Sequence, residues 1–486
     1  MVSSGDNYLA GLQYQASRGE YDARALNMMG YDFSAIGNHE FDFGPDGFAR
    51  FVGNAEFEFV SSNLDFSDEP ALSEYQGEKI FETRVIERGG RQIGIVGGVY
   101  EDLATISSPG DNVTIENVEN ELRKAVAELE NQGVNIIISL THLQSVEEEK
   151  QLAKWISGID IYVAGGGDNL LGGPDDEYLM RENDEGEMVP DEPQGPYPHR
   201  VTTPNGNPAL VVSTDGGYDY VGRLTVSFDS NGVISSVNEE KSGPVPVKPD
   251  LPADQEIQSQ IVEPVEEEIA SFEEQVVGRT ETALDGTREK VRTQETTMGN
   301  AITDAYVAVA QERYDGDVDF AFTNGGGIRN SVVIQAGGEI TLYDVTNILP
   351  FPNFLTVMED FTAQELKQMF EHAVAALPEA DGRYLQVSGI QVVYDSSNAA
   401  GNRVQEITVG DTTVYADGEV QTEETFNGVT NSFTAGGGDG FSTLANFGPD
   451  RTTNVGASYT EAFRVYIRNN SPLNVSTEGR LQDLAS

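Results

Sequence analysis

Four short stretches of this chain put metal-ligating and proton-transferring side chains where strand-like segments end. Asn38, His39 and Asp42 follow the turn at Gly37, in residues 31–42. An amide oxygen suits a hard cation, and the imidazole beside it can polarise an oxygen or pass a proton. A carboxylate three residues on can hold that imidazole in one tautomer. Asp6 lies in a second Gly turn, Ser3-Ser4-Gly5-Asp6-Asn7. His142 closes the apolar run 134–142, and Asp168 with Asn169 follows the run 160–167. A mixed O/N set of this kind suits a hydrolytic two-metal centre better than a structural zinc site. Each residue also has an ordinary reading: Asp6 as a turn cap, His142 as a strand-end histidine bonded to a backbone carbonyl.

The elements that must position these groups are alternating strands and helices. The runs 134–142 and 160–167 read as buried parallel strands, and open α/β sheets build their sites at the carboxyl ends of such strands. Residues 91–99, 209–213 and 221–228 add strands, the last two joined through 215–218, while 172–208, rich in Gly, Pro, Asp and Glu, predicts a long surface loop. The stretch 243–249 breaks the pattern and marks a domain edge. Ile257, Ile261, Val265, Ile269, Phe272 and Val276 then predict an amphipathic helix that Pro264 kinks or splits. Beyond residue 280 the pattern is mixed, with helices expected at 296–309 and 362–377 and strands at 317–322, 389–394 and 406–409. There is no internal repeat.

The order Gly5-Asp6, Gly37-Asn38-His39-Glu40 and Thr141-His142 resembles the calcineurin-type metallophosphoesterases. More narrowly it resembles the secreted 5'-nucleotidases and UDP-sugar hydrolases. Residues 288–292, 298–300, 324–329, 349–353 and 433–441 occur in the family's order, so the resemblance spans nearly the whole chain. It implies an α/β fold in which a metallophosphoesterase β-sandwich flanked by helices occupies 1–245. A linker and connecting helix follow at 246–279, and a mixed α/β nucleotide-binding domain at 280–486. It also implies two divalent metal ions (Mn, Zn, Co or Mg) and hydrolysis of a nucleotide's phosphate ester. Nucleoside monophosphates lead as substrates, followed by UDP-sugars and 2',3'-cyclic nucleotides.

The resemblance assigns roles by position. Asp6 would bridge the metals, and Asn38 and His142 would ligate the second. His39, oriented by Asp42, would stabilise charge on the phosphoryl oxygens. Arg288, Arg292 and Arg329 would hold phosphate through guanidinium forks. Phe351 and Phe433 would sandwich the base, with Asn353 and Asp439 taking base and ribose contacts. The ordinary alternatives are an i, i+4 surface pair for Arg288 and Arg292, and plain core for either Phe. His372 is expected to pack or cap within a helix, and His199 to sit in the solvated acidic loop.

Two departures stand out. The family opens with a strand ending in Asp-x-His, which supplies two ligands of the first metal, and no such strand precedes Asp6 here. A truncated or misassigned start is the expectation. Where the family has Gly-Gly-His-x-His or His-x-Gln, this chain reads Gly165-Gly166-Gly167-Asp168-Asn169, so that Asp168 could still ligate a hard cation, with a changed metal preference, Mn or Mg over Zn. A rival of another class follows: a nucleotide-binding protein that does not turn its ligand over.

Composition adds limits. The 486 residues allow two or three domains. Asp and Glu number 81 against 29 Lys and Arg, a net charge of −52, and only 8 of the basic residues are Lys. Repulsion on that scale is relieved by concentrated salt, so a halophile is expected, and nucleic-acid binding through a basic face is excluded. The lack of cysteine rules out disulfides and thiolate ligands. No run approaches the roughly 20 apolar residues of a membrane span, and no signal peptide is visible. The family implies an extracellular or cell-surface place, the missing leader leaves the cytoplasm open, and a monomer or simple homodimer is expected.

Overall fold

The computed structural model describes all residues except 9–11, 18, 183–186, 315, 449–450 and 486. The chain divides into two units, residues 1–9 with 17–264 and residues 10–16 with 265–486.

In the first unit the apolar strands build two sheets. Val2–Ser3, Phe33–Ala35, Glu58–Val60 and Ile80–Phe81 pair in parallel in that order. The larger sheet runs His199–Thr202, Pro208–Val212, Ile161–Gly165, Ile137–His142, Arg91–Val99, Thr83–Arg88. Its four central strands are parallel and its two edges antiparallel. Alternation decides the layers. Phe33, Ala35 and Val60 pack against Ile95 and Leu140 between the sheets. Val96 and Ile137, on the other face, pack with Leu122, Val126 and Leu152 of the helices Val118–Asn131 and Val146–Trp155. The sheets touch at Gly97, where an added Cβ would lie 2.1 Å from the Val60 carbonyl oxygen. This architecture carries Asp6 and Asn38 just beyond, and His142 at, the C-terminal ends of three strands that pair in parallel.

The second unit contains a five-stranded sheet ordered Leu385–Ser388, Phe320–Asn324, Phe426–Asn431, Phe354–Phe361, Thr452–Ser458. A second five-stranded sheet runs Glu419–Val420, Thr412–Ala416, Val404–Val409, Ile390–Tyr394, Leu481–Asp483. Helix Thr297–Arg313 starts where Thr296 accepts from the Gly299 N–H, and it buries Met298, Ile302, Ala305, Tyr306 and Val309. Helix Ala363–Ala373 starts at a capping box formed by Thr362 and Glu365.

Several local expectations are corrected. Residues 172–208 are not one long loop: Met180–Glu182 pairs with Met188–Pro190, and His199–Thr202 is an edge strand, so His199 is on a strand. The expected strand 221–228 is two, Tyr220–Arg223 and Val226–Phe228. Tyr220–Arg223 pairs with Gly243–Pro246, which is therefore a strand rather than a break. The helix itself is interrupted beside Pro264 as expected, with an α-turn Gln255–Ile257, a π-turn Gln258–Val262 and then Glu263–Glu273. Pro264 lacks an N–H, and the widened turn just before it accommodates that loss. Val276 opens the strand Val276–Arg279 instead of extending the helix, because its partner is the strand Glu339–Thr341.

Candidate active site

In the first unit three donor atoms converge. His142 Nε2 lies 3.0 Å from Asp6 Oδ2 and 3.1 Å from Asn38 Oδ1. The other ring nitrogen, Nδ1, donates to the Ser4 carbonyl at 2.7 Å, the ordinary reading of His142, and Nε2 is left facing Asp6 and Asn38. Gln144 Nε2 donates to Asn38 Oδ1 at 2.8 Å. Burial opposes a charge on His142, but the Asp6 carboxylate and the Ser4 carbonyl raise it to about 9. Burial likewise opposes ionisation of Asp6, and His142 and His39 hold it below the usual carboxylate range. Without a cation the two form an ion pair.

Glu40 is the residue that sequence reasoning left without a role. It is fully buried, and its carboxylate accepts from the backbone N–H of Asp6, Asn7 and Gly37 at 2.9, 2.8 and 2.6 Å. The Asn7 side-chain amide adds a fourth bond at 2.9 Å. Glu40 thus clamps the Asp6 turn to the Asn38 turn, against burial and the nearby Asp6 charge, which raise its pKa. Its position within the Gly-Asn-His-Glu run was the available signal.

His39 donates its backbone N–H to Asp6 Oδ1 at 2.8 Å, and its Nδ1 pairs with Asp42 Oδ2 at 2.7 Å. Asp42 is buried while the His39 side chain is 24% exposed, so the imidazole meets solvent from an anchored position.

A divalent ion with donors at about 2.1 Å spaces neighbouring ligands about 3 Å apart. The spacings at His142 Nε2 match that value, and the carboxylate, amide and imidazole donors suit a hard-to-borderline cation. The residues present therefore fit one cation. Asp168 stands apart: its backbone is left-handed (φ 48°), and its carboxylate lies against Gly216, where an added Cβ would be 2.4 Å from Oδ1. No hydrogen bond or ion pair among the described residues joins it to Asp6, Asn38 or His142. Nor do the described residues include a group of three or more His, Asp or Glu side chains so placed that they could hold a metal ion together. Asn169 is occupied by Val146 N–H, which it accepts at 2.9 Å, and by Gln194.

The second unit gathers its own residues. Asn324 Nδ2 donates to Asp439 Oδ2 at 2.6 Å, and Asn324 Oδ1 accepts from Asn431 and Thr434. Gly325 and Gly326 donate to the carbonyls of Tyr384 and Gly382, bringing that turn against Asp439. The Asp439 backbone is left-handed (φ 55°), and its carbonyl accepts from His372 Nε2 at 2.9 Å. His372 is therefore a packing and capping residue, in T-shaped contact with Phe441. The Phe433 ring lies on the Gly438 backbone, where an added Cβ would be 2.4 Å from a ring carbon. Ser432 ties the two loops, donating to Asn353 Oδ1 at 3.4 Å and accepting from Phe354 N–H at 3.1 Å. Arg329 sits 5.5 Å over the Phe351 ring.

Arg292 is buried rather than half of a surface pair, and its Nε has no hydrogen-bond partner among the described residues. Burial, with Arg288 and Arg329 nearby, pushes it down to about 10, only partly offset by Asp439 and Asp381. Arg292 is thus a buried positive charge with two further arginines nearby, Arg288 exposed and Arg329 half-buried.

Residues 276–446 match the family model described as the 5'-nucleotidase C-terminal domain. The chain is 30% identical to the human 5'-nucleotidase over 478 residues, covering 96% of this chain and 80% of that protein. It is also 30% identical to the trifunctional nucleotide phosphoesterase of Bacillus subtilis, covering all of this chain but only 32% of that longer protein. Among solved structures, the 5'-nucleotidase precursor of Thermus thermophilus matches with a TM-score of 0.74 and 31% identity, covering 100% of this chain and 90% of that one. These relatives are phosphoric ester hydrolases, and their two-part mixed α/β fold is the one seen here. The chain belongs to the 5'-nucleotidase family.

Proposed function

We propose that this chain hydrolyses the phosphate ester of nucleotides in a divalent-cation-dependent reaction, with nucleoside 5'-monophosphates as the leading substrates. UDP-sugars and 2',3'-cyclic nucleotides come next. The observation that carries the reading is the convergence of Asp6 Oδ2 and Asn38 Oδ1 on His142 Nε2, beside the His39–Asp42 pair. Those three residues would hold a cation, Asp6 with its negative charge and the others with neutral donors. When bound, it supplies charge for the phosphoryl oxygens and acidifies a water. A second, Asp6-sharing cation finds no assembled ligand set among the described residues.

His39 does the chain's own share of the chemistry. Asp42 fixes Nδ1 as the donor to its carboxylate, so Nε2 is the nitrogen turned to the phosphoryl group, where it stabilises developing charge. In the second unit Arg288, Arg292 and Arg329 hold the substrate's anionic oxygens. Phe351 and Phe433 stack on the base, and Asn353 and Asp439 take polar contacts to base and ribose. The charge of −52 makes concentrated salt the working medium. An extracellular or cell-surface place is proposed from the resemblance. No helix among the described residues is long and apolar enough to cross a membrane.

The experiment is phosphate release from AMP in molar salt, with and without Mn. Cation-dependent release that His39→Ala reduces by at least about a hundredfold supports the reading; equal turnover in that variant removes His39 from the mechanism. One observation favours a second reading, nucleotide binding without turnover: among the described residues no three or more His, Asp or Glu side chains are so placed that they could hold a metal ion together. Nucleotide binding with no release at any Mn concentration would establish it.

A further inference from the structure

Gln144 lies two residues past His142 and is half-buried, with φ at 70° in the left-handed region that a side chain with a Cβ seldom enters. The neighbouring glycines hold it there. An added Cβ at Gly166 would come within 2.8 Å of the Gln144 backbone nitrogen and 3.0 Å of His142 Nε2. One at Gly167 would come within 3.1 Å of the Gln144 carbonyl oxygen. The side-chain-free strand end thus packs directly on this turn. From the turn the carboxamide reaches back, and Nε2 donates to Asn38 Oδ1 at 2.8 Å.

An asparagine amide has two ends of nearly the same shape, one an acceptor and one a donor. Only the oxygen can ligate a cation. We propose that Gln144 is a positioning residue for the cation site: its Nε2–H, delivered from a left-handed turn, fixes the Asn38 amide with its oxygen toward Asp6 and His142. The proposal rests on the cation-dependent reading above. It accounts for a long polar side chain in a backbone conformation that glycine would adopt without strain.

The test is calorimetric titration of the metal-free full chain with Mn in molar salt, alongside its metal-free melting temperature. The chains compared are the unsubstituted protein, Gln144→Gly, Gln144→Glu and, as reference, Asn38→Ala. Gln144→Gly is expected to melt no lower than the unsubstituted chain and to bind Mn about tenfold more weakly, the size typical of a lost outer hydrogen bond to a ligand. Gln144→Glu is also expected to bind more weakly despite its added negative charge, because a carboxylate cannot donate to Asn38 Oδ1. Unchanged affinity in Gln144→Gly, or tighter binding in Gln144→Glu, overturns the positioning role. If Gln144→Gly melts lower, Gln144→Glu, which keeps the Cβ and the side-chain length, decides alone. No Mn binding by the unsubstituted chain overturns both this role and the cation-dependent reading. Binding lost in Asn38→Ala but intact in the Gln144 variants overturns this role only.

Discussion

The two units solve opposite electrostatic problems. The first gathers Asp6, Glu40 and Asp42 around two imidazoles, and the ion pair between half-buried Asp6 and buried His142 stands where a cation's ligands would be. The second gathers Arg288, Arg292 and Arg329, whose mutual repulsion helps push Arg292 down to about 10. In a chain with 81 acidic and 29 basic residues, three arginines near one another are a concentration of a scarce residue type. Arg288 is exposed and Arg292 is buried, and a desolvated charge like that of Arg292 persists where a ligand of opposite charge relieves it. Under the proposed function the labour divides, with the first unit taking a cation and the second an anion.

The largest expected effect tests that division from the first unit. Asn38→Ala removes one of three donors and should cut phosphate release on the order of a thousandfold. Equilibrium binding of a non-hydrolysable nucleotide analogue, measured without added cation, should stay within about twofold. A parallel loss of binding would break the division, because the two units would then share one ligand set.

The converse substitution comes next. Arg292→Met should weaken nucleotide binding by about 30- to 100-fold, or about 2–3 kcal/mol, the range for a desolvated charge-assisted contact. It should also raise resistance to urea, since a buried guanidinium with an unpartnered Nε is lost to an apolar side chain of similar length. Phe433→Ala should cost about 1–2 kcal/mol of nucleoside affinity, with inorganic phosphate binding unchanged. If phosphate binding falls as well, the ring supports the pocket rather than the base.

Much of this was legible in the sequence, and the reason is physical. Asp6, Asn38 and His142 each follow an apolar strand, and strand ends of parallel sheets are forced together, so local pattern implied convergence. Glu40 and Gln144 were not assigned roles, because what they do exists only across chain separations of 33 and 106 residues. The hairpin after Tyr178 and the His199–Thr202 strand were hidden by composition. Only Val201 of that edge strand is buried, and Gly, Pro and acidic residues masked the pairing. Asp168 has a left-handed backbone and its carboxylate lies against Gly216, a placement that position in the chain alone does not give.

The smallest expected effect sharpens the comparison away from either site. Glu149 lies on the helix Val146–Trp155, fully buried, and both its carboxyl oxygens lack a hydrogen-bond partner among the described residues. Burial raises its pKa from 4.5 to about 8. For an acid with a raised folded-state pKa, both states are protonated below pH 4.5 and nothing is lost there. Between 4.5 and 8 the unfolded chain releases the proton and the folded chain keeps it, so stability falls as pH rises. The slope is at most about 1.4 kcal/mol per pH unit. Glu149→Gln mimics the neutral acid and should flatten the profile by about 1 kcal/mol between pH 6 and pH 7, read as a smaller shift in urea midpoint. An unchanged slope would mean that Glu149 is ionised in the folded chain, and that the first unit tolerates a buried, unmatched charge as the second tolerates Arg292. A flattened slope would mean that the first unit keeps its negative charge only where a cation can meet it.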